Sequence, residues 1–218
     1  MELVTVRAEI EAERTALADS LEAVGPHAPT ACGSWSAFDL AAHVVASEGG
    51  AGLVAFGVRT LAAQGMPFRP NPRIVRMAIE RQRRDGYHAL IASIRGECPR
   101  LLLARQVVAS TLFELWMHHD DLTSANNRDH AEPTHLALAI PSLMRYQARR
   151  LPNAQIIVRT TNNYEWCFGP ERGPAAAVSG PAPDLVRWLA GRQPQAPPNI
   201  DGDERIADEL RAFVGRIG

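Results

Sequence analysis

The sequence predicts an α+β protein, with a helical bundle over residues 1–150 and a small α/β domain over 151–218. Three observations lead there. Apolar residues recur at helical spacing through the first two thirds of the chain, the period shortens to strand-like runs after Leu151-Pro152, and helices precede strands instead of alternating with them. A chain of 218 residues, 46% hydrophobic and 22% charged, can bury a sizeable core without disulfide or metal staples.

In the first segment, from Leu3 to about Val24, Val6, Ile10, Leu17 and Leu21 fall at intervals of four or seven and form one apolar stripe. Gly25-Pro26 ends that helix. Ser36 and Asp39 make an S-x-x-D capping box, so a second helix runs from about Ala37 to Glu48, with an apolar continuation past Gly49-Gly50 to about Ala63. Three prolines mark 65–73 as a loop. A third helix is expected from Ile74 to Ile94, interrupted at Gly86, and a fourth from just after Pro99 to about Ala125. Pro133 suits the first turn of a fifth, ending near Arg150. Beyond it, AQIIVRTT and YEWCFG read as a hairpin around Asn162-Asn163, AAAVSG as a third strand, and PAPDLVRWLAGR and DERIADELRAFVGR as two short helices.

Composition excludes several function classes. A formal net charge of -1 offers no attraction to a phosphate backbone or an anionic membrane surface, so neither nucleic acid nor membrane is an expected partner. The N-terminal residues carry acids and arginines where a signal peptide would be apolar, and no run approaches the roughly 18 apolar residues of a membrane helix. Cys32, Cys98 and Cys167 are odd in number and include no CxxC pair, which fits free thiols in a reducing cytoplasm. All 23 basic residues are arginine, a bias that reads as the codon usage of a GC-rich, actinobacterium-like genome.

The chemistry-bearing candidates are His43, Glu114 and His118. Glu114 and His118 stand at i and i+4 in FELWMHHDD, on one helix face and one turn apart, so both can reach a single ion. His43 lies mid-helix among Leu40, Val44 and alanines, where hydrophobicity gives no reason for an imidazole, and it is the best third ligand. Two imidazoles and one carboxylate would leave an open coordination position, as in a catalytic site. Spacing alone leaves a solvated Glu–His pair and a hydrogen-bonded core histidine as alternatives.

The surroundings of these residues carry a resemblance. CGSWSAFDLAAHVVASEG (32–49), ELWMHHDDL (114–122) and VSGPAPDLVRWLAGR (178–192) resemble, in order, segments of the mycothiol-dependent maleylpyruvate isomerase family, a branch of the DinB-like metal-dependent four-helix bundles. The resemblance implies His43, Glu114 and His118 as ligands of a divalent metal, with zinc the expected ion, and mycothiol as thiol cofactor. It implies that Asp121 orients the His118 imidazole and that Arg192 clamps a substrate carboxylate, although Asp121 also reads as a surface acid and Arg192 as a helix C-terminal cation. The glycine before Trp35 is shifted by one position, and His119-Asp120 stands where the family commonly has an arginine and an aromatic. Both departures bear on substrate identity rather than on the ligands.

The expected activity is thus isomerisation or S-transfer on a small electrophile by a cytoplasmic monomer or homodimer. A metal-dependent hydrolase with the same ligands and a non-enzymatic metal- or ligand-binding protein are the alternatives. Cys32 reads as an inert thiol at the start of the ligand helix, Trp35 and Trp116 as core, and Glu48 as a helix-end acid. His27, His88, His119, His130 and His135 show no partner at useful spacing.

Overall fold

The apolar stripe of the first segment is the seam on which the N-terminal part assembles. Val6, Ile10, Leu17 and Leu21 are buried along α1 (Glu2–Val24). The computed structural model describes residues 2–49 and 71–213, so the expected apolar continuation to Ala63 lies outside the described residues. Helix α2 (Ala37–Glu48) opens on the expected capping box, in which the Ser36 hydroxyl accepts from the Asp39 N–H and the Asp39 carboxylate accepts from the Ser36 N–H. Two orphan donors of the first turn are satisfied at once, which fixes where the helix starts.

The third expected helix is two. Helix α3 (Pro72–Gln82) and α4 (Tyr87–Arg95) flank a 3-10 turn at Arg83–Asp85, and Gly86, at φ 86°, supplies the left-handed step between them. The Tyr87 phenol donates to the Leu21 carbonyl at 2.6 Å, tying α4 to the end of α1, and burial pushes its pKa up to about 12. The fourth helix, α5 (Val108–Ala125), begins later than the sequence suggests. Residues 99–107 form consecutive turns, because the Leu102 carbonyl accepts from the Thr111 hydroxyl at 2.8 Å and the Leu103 carbonyl from Arg7 at 2.9 Å. Carbonyls that a longer helix would use in its own ladder are already engaged. α1 packs against α4 and α5, and α2 against α3 and α4, giving the four-helix bundle with the α3–α4 pair as one member.

The chain divides into two units, the first ending at Pro133 and the second beginning at Thr134. The expected boundary near 151 falls later, because a 3-10 turn (Leu136–Ala139) and α6 (Ile140–Ala148) pack against α7 (Ala182–Leu189). The expected hairpin is present. β1 (Gln155–Thr160) pairs antiparallel with β2 (Glu165–Phe168), and Asn163, at φ 68°, provides the turn. β3 (Ala175–Gly180) runs parallel to β1. A fourth strand, β4 (Asn199–Gly202), pairs with β3 in the order β2-β1-β3-β4, and α8 (Glu204–Phe213) follows it. The fold class is therefore α+β, a helical bundle followed by a small α/β unit. Among the described residues, no helix is long and apolar enough to cross a membrane.

Candidate metal centre

Helices α2 and α5 and the loop before α2 carry the candidate centre. The capping box sets the register of α2 and so places His43 two turns into it; the ring of His43 meets the ring of His118 edge-on, with centroids 4.9 Å apart. Trp35 also packs against His43, with ring centroids 4.8 Å apart. On α5 the i, i+4 spacing sets the Glu114 carboxylate 3.7 Å from His118 Nε2. The opposite nitrogen, Nδ1, lies 3.9 Å from Asp121 Oδ2 and 4.0 Å from Cys32 Sγ. Asp121 is buried, which removes the surface-acid reading, and it accepts a hydrogen bond from the Cys32 thiol at 2.9 Å.

Cys32 reaches this position because the preceding loop is tied across α5. The Ala31 N–H donates to the Asp121 carbonyl at 2.8 Å, and the Asn126 side chain donates to the Pro29 carbonyl at 2.9 Å. Cys32 is therefore more than the inert helix-start thiol that the sequence suggests, because the loop path that brings it to Asp121 is encoded by no local pattern. The ligand atoms of Cys32, His118 and Asp121 all lie within 4.8 Å of one another. His118 thus has an acidic partner on each side, Glu114 at Nε2 and Asp121 at Nδ1.

Glu48 is more than a helix-end acid. It lines a small recess with Val44, Ser47, Leu102, Glu114 and His118, and it pairs with the Arg14 guanidinium, which is 1% exposed. Burial pushes the Glu48 carboxyl above its usual range despite the Arg14 charge, and Glu11 adds to the rise. Arg14 also donates to the carbonyls of Ser93 at 3.2 Å and Gly96 at 3.4 Å, so one buried cation holds α1, α2 and the end of α4.

A second constellation escaped the sequence reading. Glu13 Oε1 lies 2.7 Å from His119 Nδ1 and 2.9 Å from His130 Nε2. Burial alone would raise the Glu13 pKa and lower that of His130. Hydrogen bonds and opposite charge outweigh burial in both cases, so Glu13 is held low by the two histidines and His130 is held high by Asp120 and Glu13. The missed signal was a carboxylate on the buried stripe of α1, three residues after Ile10 and four before Leu17.

Arg192 belongs to the second unit. It follows α7, its N–H donates to the Arg187 carbonyl at 2.8 Å, and its guanidinium donates to the Ala190 carbonyl at 3.4 Å, contacts that suit a helix C-terminal cation.

The family model for the mycothiol maleylpyruvate isomerase N-terminal domain matches residues 7–123. No curated protein matches the chain. A crystal structure of the mycothiol-dependent maleylpyruvate isomerase is similar with a TM-score of 0.60 at 14% identity, over 92% of this chain and 93% of that one. A histidine-to-alanine mutant of the same isomerase is similar with a TM-score of 0.57 at 14% identity, over 88% and 90%. At that identity the likeness is one of fold.

Proposed function

The chain belongs to the mycothiol maleylpyruvate isomerase family, and on that premise we propose that it is a metal- and thiol-dependent enzyme acting on a small electrophile, as an isomerase or S-transferase. The observation that carries this reading is the division of labour at His118. A ligand imidazole binds its ion through one nitrogen and has the other oriented by an oxygen acceptor. Nε2 faces Glu114 and Nδ1 faces Asp121, and the His43 ring meets the His118 ring edge-on. The donor set of two imidazoles and a carboxylate suits a divalent ion such as zinc and leaves room for an exogenous ligand.

His43, Glu114 and His118 would hold the ion, and Asp121 would fix the His118 ring and its tautomer. When bound, the ion would keep a thiol such as mycothiol ionised at neutral pH, where a free thiol of pKa about 8.5 is only a few per cent thiolate. The recess between Val44, Leu102 and Glu114 would keep water from the reacting atoms. A cytoplasmic location in an actinobacterium-like host, which the arginine-only composition suggests, would supply such a thiol.

The test is conversion of maleylpyruvate with and without mycothiol. We expect turnover that requires both thiol and metal, lost by at least about a hundredfold in Glu114→Gln and His118→Ala. Equal turnover without any thiol would replace this reading with the hydrolase one.

A further inference from the structure

Away from His118, the deepest chemistry-bearing cluster among the described residues joins α1, α5 and the loop after α5. Glu13, His119 and His130 have side chains only 6%, 5% and 4% exposed. Both imidazoles turn one nitrogen to the same oxygen, Glu13 Oε1. Their outer nitrogens are engaged too, with His119 Nε2 at 2.7 Å from Ser20 Oγ and His130 Nδ1 at 3.5 Å from Asp120 Oδ1. Trp116 stacks on His130 at 5.3 Å and anchors its own indole N–H on the Ala131 carbonyl at 3.1 Å, which fixes the His130 ring plane.

We propose that Glu13, His119 and His130 form a second divalent-metal site, structural in role and separate from the centre at His118. Charge supports this first. The Glu13 and Asp120 carboxylates are buried beside the two imidazoles, and a divalent cation can take the place of the proton that they favour on His130. Spacing supports it next. The ligand atoms of the three side chains all lie within 4.8 Å of one another, so one ion can meet all three once the present hydrogen-bonded separations of 2.7 and 2.9 Å open toward tetrahedral spacing. The outer contacts supply the third support, because oxygen acceptors on the second nitrogens of both histidines are the arrangement that aims imidazole lone pairs at an ion.

Binding at this site replaces the protons now shared along the two Glu13–His contacts and releases them to solvent. The nitrogen-rich donor set suits zinc or cobalt rather than magnesium or calcium. Its burial marks it as a clip rather than a reaction centre. Glu13 and His130 are 117 positions apart, so an ion there fastens the end of the bundle to its beginning.

The experiment counts ions. Full-length protein is stripped with a chelator, reloaded with Zn²⁺, desalted and analysed for metal. We expect two equivalents in the wild type, one in a Glu114→Gln/His118→Ala variant, and one in a His130→Gln variant. If His130→Gln fails to fold, the Glu114→Gln/His118→Ala variant decides alone. It must keep one equivalent and, reloaded with Co²⁺, show a visible spectrum unchanged by added thiol. No retained ion in that variant means a purely hydrogen-bonded cluster and overturns the proposal. One ion in the wild type that survives Glu114→Gln/His118→Ala would instead sink the His118 centre and leave this site standing.

Discussion

At His118 each imidazole nitrogen faces its own carboxylate, Glu114 at Nε2 and Asp121 at Nδ1, and the residue-scale predictions follow from that arrangement. Asp121, buried and 3.9 Å from Nδ1, shares its carboxylate with the Cys32 thiol. Asp121→Asn keeps the volume and removes the charge. It should weaken metal affinity about 10–100-fold, read by competition with a chromogenic chelator, with the fold intact by circular dichroism. Unchanged affinity would reduce Asp121 to packing. The i, i+4 pair and the isolated mid-helix histidine were visible in the sequence because helix geometry converts spacing directly into proximity. Cys32, Glu13 and His130 were not, since their partners lie 89, 106 and 117 positions away and are brought near only by tertiary packing.

Helix α2 is the element on which the centre depends, and its start is held by the local Ser36–Asp39 capping bonds together with a longer-range pair to Arg83. Asp39 accepts from the Ser36 backbone and hydroxyl and pairs with Arg83, which itself lies over the Phe38 ring at 4.3 Å. Burial raises the Asp39 pKa, but the Ser36 and Arg83 interactions outweigh it and hold the carboxyl below its usual value. A carboxyl with a depressed folded-state pKa contributes stability that is fully present above its unfolded value of about 3.9 and is lost as pH falls through the folded value. Asp39→Asn should therefore cost about 1 kcal/mol at neutral pH and flatten the acid limb of a stability-versus-pH curve below about pH 4. An acid limb as steep as the wild type's would contradict it. This boundary was legible because its hydrogen bonds are local. The start of α5 was not, since it is set by where Thr111 and Arg7 place their donors.

Across the whole molecule, the bundle unit holds the proposed metal centre and the second unit holds a small sheet with its own constraints. Gly169, after β2, sits at φ 87°, and a Cβ there would come within 2.1 Å of the Ala154 carbonyl oxygen. Gly169→Ala should destabilise the second unit by at least about 2 kcal/mol, seen as an earlier denaturant transition, while metal content stays at the wild-type level. Loss of metal in that variant would show that the units do not behave separately. The order of helices and strands announced this division, and the Asn162-Asn163 turn announced the hairpin. β4 went unseen because four residues following a proline pair carry too little pattern without β3 to pair with. The most direct test of the central claim is a titration of the Co²⁺-loaded protein with mycothiol. A thiolate-to-cobalt absorption band should appear, saturate at one equivalent and be absent in Glu114→Gln. No band at any thiol concentration, with cobalt demonstrably bound, would contradict it.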